Sequence, residues 1–214
     1  CLRFLGHCRT HGNLSMNETR ALYDYAPLLQ LMLLGATIAL GPLAWVAWRS
    51  RGGARGKRLQ ALMVLTLFLT FDLVMFGAFT RLTDSGLGCP DWPGCYGNAS
   101  PIGAREEISA AQDAMPTGPV THGKAWVEMI HRYLASAVGV LIIAINVGVW
   151  RQKRQWQREG RTGDEPLHPG WAVATLVWVC LQGVFGAWTV TMKLFPAIVT
   201  LHLLGGLVLL SLLA

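Results

Sequence analysis

The chain has 214 residues, of which 52% are apolar and only 14% charged, with nine Trp and a mean hydropathy of +0.39. Those values exclude an ordinary soluble domain and indicate a polytopic membrane protein. The net charge of +6 does not signal a nucleic-acid partner, because most of the basic residues fall in two short loops beside apolar runs.

Residues 1–25 form an extension without a supporting fold pattern, expected to be disordered. Cys1, His7, Cys8 and His11 resemble a metal cluster there, but a poorly ordered extension explains them more simply. Five stretches follow that are long and apolar enough to cross a bilayer: Ala26–Trp48, Leu59–Thr80, Trp126–Trp150, Gly170–Met192 and Leu194–Ala214. The first is too long for a signal-peptide core and lacks a clear cleavage site, so it reads as a retained anchor, with Pro42 a candidate kink. The chain stops inside the fifth stretch without a polar flank, so the natural protein is expected to continue. The fold class is therefore all-α, a membrane helical bundle. Residues 26–58 hold an extra span and a basic loop, and residues 59–214 form a four-helix half-bundle.

Charge sets the expected orientation. Arg49, Arg51, Arg55, Lys57 and Arg58 cluster after the first span, and Arg151, Lys153, Arg154, Arg158 and Arg161 after the third. The long segment from Arg81 to Ala125 carries three basic and five acidic residues. The positive-inside rule puts both basic loops in the cytoplasm and the long loop outside. The basic loop from Arg151 to Leu167 reads as solvated charge. The second span carries Asp72, about 12 Å below its outer end at the helical rise. An intramembrane acid suggests function by default, and an interhelical hydrogen bond explains it equally well.

The outer loop opens with RLTDSGLGCPDWPGCYG. Cys89 and Cys95 flank a turn rich in Pro and Gly, a spacing that suits a disulfide on an oxidising side. They would also serve as half of a zinc site with His122, although a fourth ligand is missing. Ala104–Met115 has the makings of a short surface helix, and His122 is expected on an exposed loop.

The third span opens with WVEMIHRYLASAVG, placing Glu128, His131 and Arg132 within its first two turns. A charge at the centre of a membrane helix costs about 2.5–3.5 kcal/mol, so such groups usually face a protein interior. Glu128 and His131 are three apart and share one helix face. That face continues through Ala135, Val138 and Gly139. His202 lies about six residues below the outer end of the fifth span, and His131 about five below that of the third. Gly205 and Gly206 follow His202. In the fourth span, Gln182, Gly183, Gly186 and Thr189 offer close approach, although the glycines alone signify only helix packing. Two imidazoles at matching depth above small residues suit the two axial ligands of a haem iron. Propionates would then point outward, towards Arg81 and Arg132.

RLTDSGLGCPDWPGC after one core span, EMIHR opening the next and a histidine early in the fourth core span together resemble the haem A synthase family over Leu59–Ala214. The resemblance implies two similar four-helix halves, of which this chain carries the first. It implies oxidation of a haem O methyl group, in steps, to the formyl group of haem A for cytochrome oxidase assembly. It makes His131 and His202 the ligands of haem O and Glu128 a catalytic residue. It places a haem b in the second half, and it matches Cys89 and Cys95 to an outer-loop pair. It further implies a bacterial inner membrane with the cysteine loop in the periplasm, and as partners haem O synthase, a quinol or other electron donor, and membrane lipid. A b-type electron carrier or membrane anchor would explain the histidines but give Glu128 and the cysteine loop no task. A proton or ion transporter using Asp72 and Glu128 would leave the matched histidines without one.

Overall fold

A computed structural model describes residues 26–51, 55–160 and 167–214. The described residues form six helices: α1 (Ala26–Arg49), α2 (Arg55–Leu82), α3 (Arg105–Ala114), α4 (His122–Arg158), α5 (Pro169–Thr191) and α6 (Pro196–Leu213). All but α3 are long and apolar enough to cross a membrane. The Cys/His set in the extension lies outside the described residues.

Local chemistry explains the helix ends. The Thr121 hydroxyl accepts from Lys124 N at 3.3 Å and caps α4. Pro169 and Pro196 sit in the first turns of α5 and α6, where a missing N–H costs nothing. Lys193 and Leu194 take positive φ, turning the chain sharply between those two helices. Two boundaries differ from the sequence reading. Helix α4 begins at His122, so that residue is not in a loop, and it runs on to Arg158, so much of the basic segment is helical. The Lys, Arg and Gln residues there favour helix once the chain leaves the apolar layer.

Helices α2, α4, α5 and α6 form a ring in which each touches its two neighbours. The diagonal pairs, α2 with α5 and α4 with α6, nowhere come within 8 Å between Cα atoms among the described residues. Helix α1 lies outside the ring, chiefly against α4. Its face Leu31, Gly35, Ala39 and Val46 is buried, and Gly35 sits directly on Ser136, where any Cβ would clash. Such small-residue seams are how membrane helices gain van der Waals contact, since lipid supplies no hydrophobic drive. Hydrogen bonds tie other seams: Asn146 Nδ2 donates to Ala172 O at 2.7 Å, Trp178 Nε1 to Gly205 O at 2.9 Å and Trp171 Nε1 to Leu212 O at 2.9 Å.

Asp72 is exposed on the outer surface of α2, among Phe68, Phe71, Met75 and Phe79. Among the described residues it makes no interhelical hydrogen bond.

Candidate functional site

The loop between α2 and α4 closes the end of the bundle. Cys89 and Cys95 are joined by a disulfide, so their sulfurs are not zinc ligands. Cys95 and Asn98 exchange both backbone hydrogen bonds, at 2.7 and 3.0 Å, around Tyr96 and Gly97, which both have positive φ. Asp91 accepts from the N–H groups of those two residues at 2.6 and 2.7 Å, which offsets the strain at Tyr96. Gly88 lies against the backbone of Lys124 and Ala125, closer than any side chain would allow. His122 Nε2 pairs with Ser109 Oγ at 2.9 Å, and its backbone N–H donates to Gln112 Oε1 at 3.0 Å, docking α3 on the start of α4.

The first turns of α4 hold this loop. Arg132 Nη2 donates to Glu128 Oε1 at 2.5 Å. Its Nη1 faces the carbonyls of Asp91, Pro93 and Gly94 at 3.0, 3.2 and 2.5 Å. Glu128 Oε2 accepts from Cys89 N at 2.8 Å. Both side chains are buried, at 8% and 5% exposure. The pair is therefore a closed unit: each charge is matched and each carboxylate oxygen is bonded. Tyr133 adds a bond from its hydroxyl to Ala99 O at 2.7 Å. The sequence pointed Arg132, with Arg81, towards a propionate. Here its guanidinium binds Glu128 and the loop carbonyls of Asp91, Pro93 and Gly94, where the turn around Pro93 lies against α4. Arg81 is exposed at the same end of the bundle, in contact with Asp84 at 3.3 Å.

On another side of the same turn of α4 the chemistry changes. His131 comes from α4 and His202 from α6, so the two stand on diagonal helices of the ring. Each ring is backed by a glycine from the next helix of the ring. A Cβ on Gly77 of α2 would lie 3.0 Å from His131 Cε1, and one on Gly186 of α5 would lie 3.5 Å from His202 Cε1. Phe76 stacks beside His131, with centroids 6.2 Å apart. Among the described residues, three buried side-chain nitrogens have no hydrogen-bond partner: His131 Nδ1, His202 Nδ1 and Gln182 Nε2. Buried polar atoms are normally paired, so orphans mark positions kept for another molecule or for strain.

The glycines are used differently from the sequence expectation. Gly205 is covered by the Gln182 amide and Gly206 approaches Val74, so the positions beneath His202 lie against neighbouring side chains rather than open space. Gly139 has nothing within 4 Å of where its Cβ would be, so that part of the His131 face does open on free space. Gly183 faces outward and Gly186 faces the ring. Sequence spacing showed close approach but not its direction. The glycines that matter most, Gly77 and Gly186, lie on helices other than those of the histidines, and a single sequence gives no signal for that pairing.

Two imidazoles with unused nitrogens, on diagonal helices of the bundle, have the chemistry to hold a tetrapyrrole iron. Fold and site thus define a class: a polytopic helical membrane protein with two buried, unpartnered histidines on diagonal helices and a disulfide-closed loop. A sequence model for the family described as Cytochrome oxidase assembly protein matches residues 60–214. The chain is 43% identical over 156 residues to the haem A synthase of Shewanella oneidensis, covering 73% of this chain and 44% of that protein. It is 29% identical over 147 residues to the haem A synthase of Lysinibacillus sphaericus (69% and 40% covered) and 30% identical over 146 residues to that of Sinorhizobium medicae (63% and 37% covered). The chain belongs to the haem A synthase family. It spans less than half the length of these relatives. No solved structure matches it.

Proposed function

We propose that this chain is the substrate-binding half of a haem A synthase, which oxidises the haem O methyl group stepwise to the formyl of haem A. The observation that carries the reading is the diagonal pair, His131 and His202, each with an unpartnered Nδ1 and a glycine behind its ring. In this reading the two imidazoles would hold the substrate iron. Glu128 acts beside the ring. Its carboxylate is held by a backbone N–H and a guanidinium, so its position is set before substrate arrives, as electrostatic stabilisation requires. Arg81 meets a propionate, while Arg132 serves the site indirectly by anchoring the loop. The bound haem b of the family belongs to the half beyond residue 214.

The loop side is periplasmic and the basic side cytoplasmic, supported by the distribution of Arg and Lys. Cysteines introduced at Ser109 and Thr162 of the full-length protein should be labelled only from the periplasm and only from the cytoplasm, respectively. Labelling of Thr162→Cys from the periplasm would reject that orientation.

Function is tested by extracting haems from membranes that carry the full-length protein. Glu128→Gln should retain bound haem O and make little haem A. His131→Ala should lose the bound haem O. Recovery of haem B alone from the unmodified protein would favour the electron-carrier reading instead. Haem A formed at the parent rate by Glu128→Gln would leave that carboxylate a purely structural role.

A further inference from the structure

We propose that Gln182 contacts the substrate, donating from its amide nitrogen to the hydroxyl on the farnesyl-bearing substituent of haem O, and so selects haem O over haem B. The inference rests on the reading of His131 and His202 as ligands of that substrate. Gln182 is 7% exposed, in the middle of an apolar span, and its Nε2 has no partner among the described residues. A buried donor of this kind is rare where packing alone decides the residue, because Leu or Met would fill the same volume without an unmet hydrogen bond.

Its place in the bundle indicates what it meets. Gly186, which backs the His202 ring, lies one turn from Gln182 on the same face of α5. Gly205, which the Gln182 amide covers, lies one turn beyond His202 on α6. The amide therefore sits about 5 Å to the basic side of the histidine level, one helical turn. That offset matches the reach from the centre of a tetrapyrrole to its edge. The carbonyl of Gly205 accepts from Trp178 Nε1 at 2.9 Å, so the α5–α6 seam already has its hydrogen bond without Gln182. With the propionates at the loop side near Arg81, the opposite edge of haem O presents the hydroxyl. Haem B carries a vinyl group there and offers no acceptor.

The test uses the full-length protein, freed of haem and titrated separately with haem O and haem B. Binding at this site is followed in the Soret band by difference from a His131→Ala variant. Gln182→Met and Gln182→Leu should each weaken haem O binding about tenfold, the scale of one buried hydrogen bond, and leave haem B binding within about twofold. The bis-imidazole spectrum should not change. Haem O dehydrated at that hydroxyl, with its tail retained, should bind the unmodified protein about as weakly as haem O binds the variants. Equal loss for both haems would assign Gln182 to helix packing and overturn the proposal, as would no loss for either. If His131→Ala binds haem O as well as the parent, the histidine reading itself fails, and the Gln182 proposal with it.

Discussion

Two polar clusters share the first turns of α4 and are built in opposite ways. Glu128 and Arg132 belong to a closed network in which each charge has its counterpart and three loop carbonyls are bound. His131 lies between them in sequence, yet its Nδ1 is buried and has no partner among the described residues. His202 and Gln182 share that condition. The first cluster has each charge matched within the protein, and it both holds the disulfide loop over the end of the bundle and fixes the Glu128 carboxylate in place. The second has polar atoms without partners among the described residues, which the proposed function assigns to a ligand. A helix that turns 100° per residue can serve both tasks within one turn, because Arg132 and His131 point to different sides.

Breaking the closed cluster should have the largest effect on stability. Arg132→Ala strands a buried carboxylate and three carbonyls, and should cost about 3–5 kcal/mol, read as a lower unfolding temperature of the detergent-purified full-length protein. Replacing both partners, as in Glu128→Gln with Arg132→Met, should cost less than the sum of the single changes. Additive losses would mean that the pair does not act as a unit. Next comes the loop itself. Cys89→Ser should lower stability by about 2–2.5 kcal/mol, the chain-entropy value for so short a closed loop, and reduction of the parent should mimic it. Unchanged stability on reduction would place the strength of the loop wholly in the Arg132 and Glu128 contacts.

The open cluster should answer to smaller changes, in ligand affinity more than in stability. Gly77→Ala puts a methyl 3.0 Å from His131 Cε1, so the ring must shift. Haem O affinity should fall about tenfold, within the range of overpacking penalties. Gly186→Ala places its methyl at 3.5 Å from the His202 ring, an ordinary contact, and should change affinity by about twofold or less. Spectroscopic titration of the two variants checks the ranking, and a larger loss at Gly186 would show that the rings are not held as described.

Much of this was legible in the sequence. Apolar runs as long as a bilayer is thick marked all five spans, and counting residues from their outer ends put His131 and His202 at matching depth. The faces of the helices were not legible. Helices α2, α5 and α6 are apolar nearly all round, so periodicity does not say which side of Gly77, Gly183 or Gly186 looks inward. The role of Arg132 was hidden for a different reason. Its partners are backbone carbonyls of Asp91, Pro93 and Gly94, and backbone acceptors leave no mark on a residue pattern. The ends of α4 were missed because a membrane criterion stops where the apolar layer stops, while the helix continues on Thr121 capping and on Lys, Arg and Gln propensity.

The central claim is that His131 and His202 together hold one tetrapyrrole iron. Electron paramagnetic resonance of the full-length ferric protein loaded with haem O tests it most directly. The account predicts a low-spin bis-imidazole signal from this site that disappears in His131→Ala and in His202→Ala alike, with a high-spin or unligated iron in its place. Retention of the full low-spin signal in either variant would contradict it.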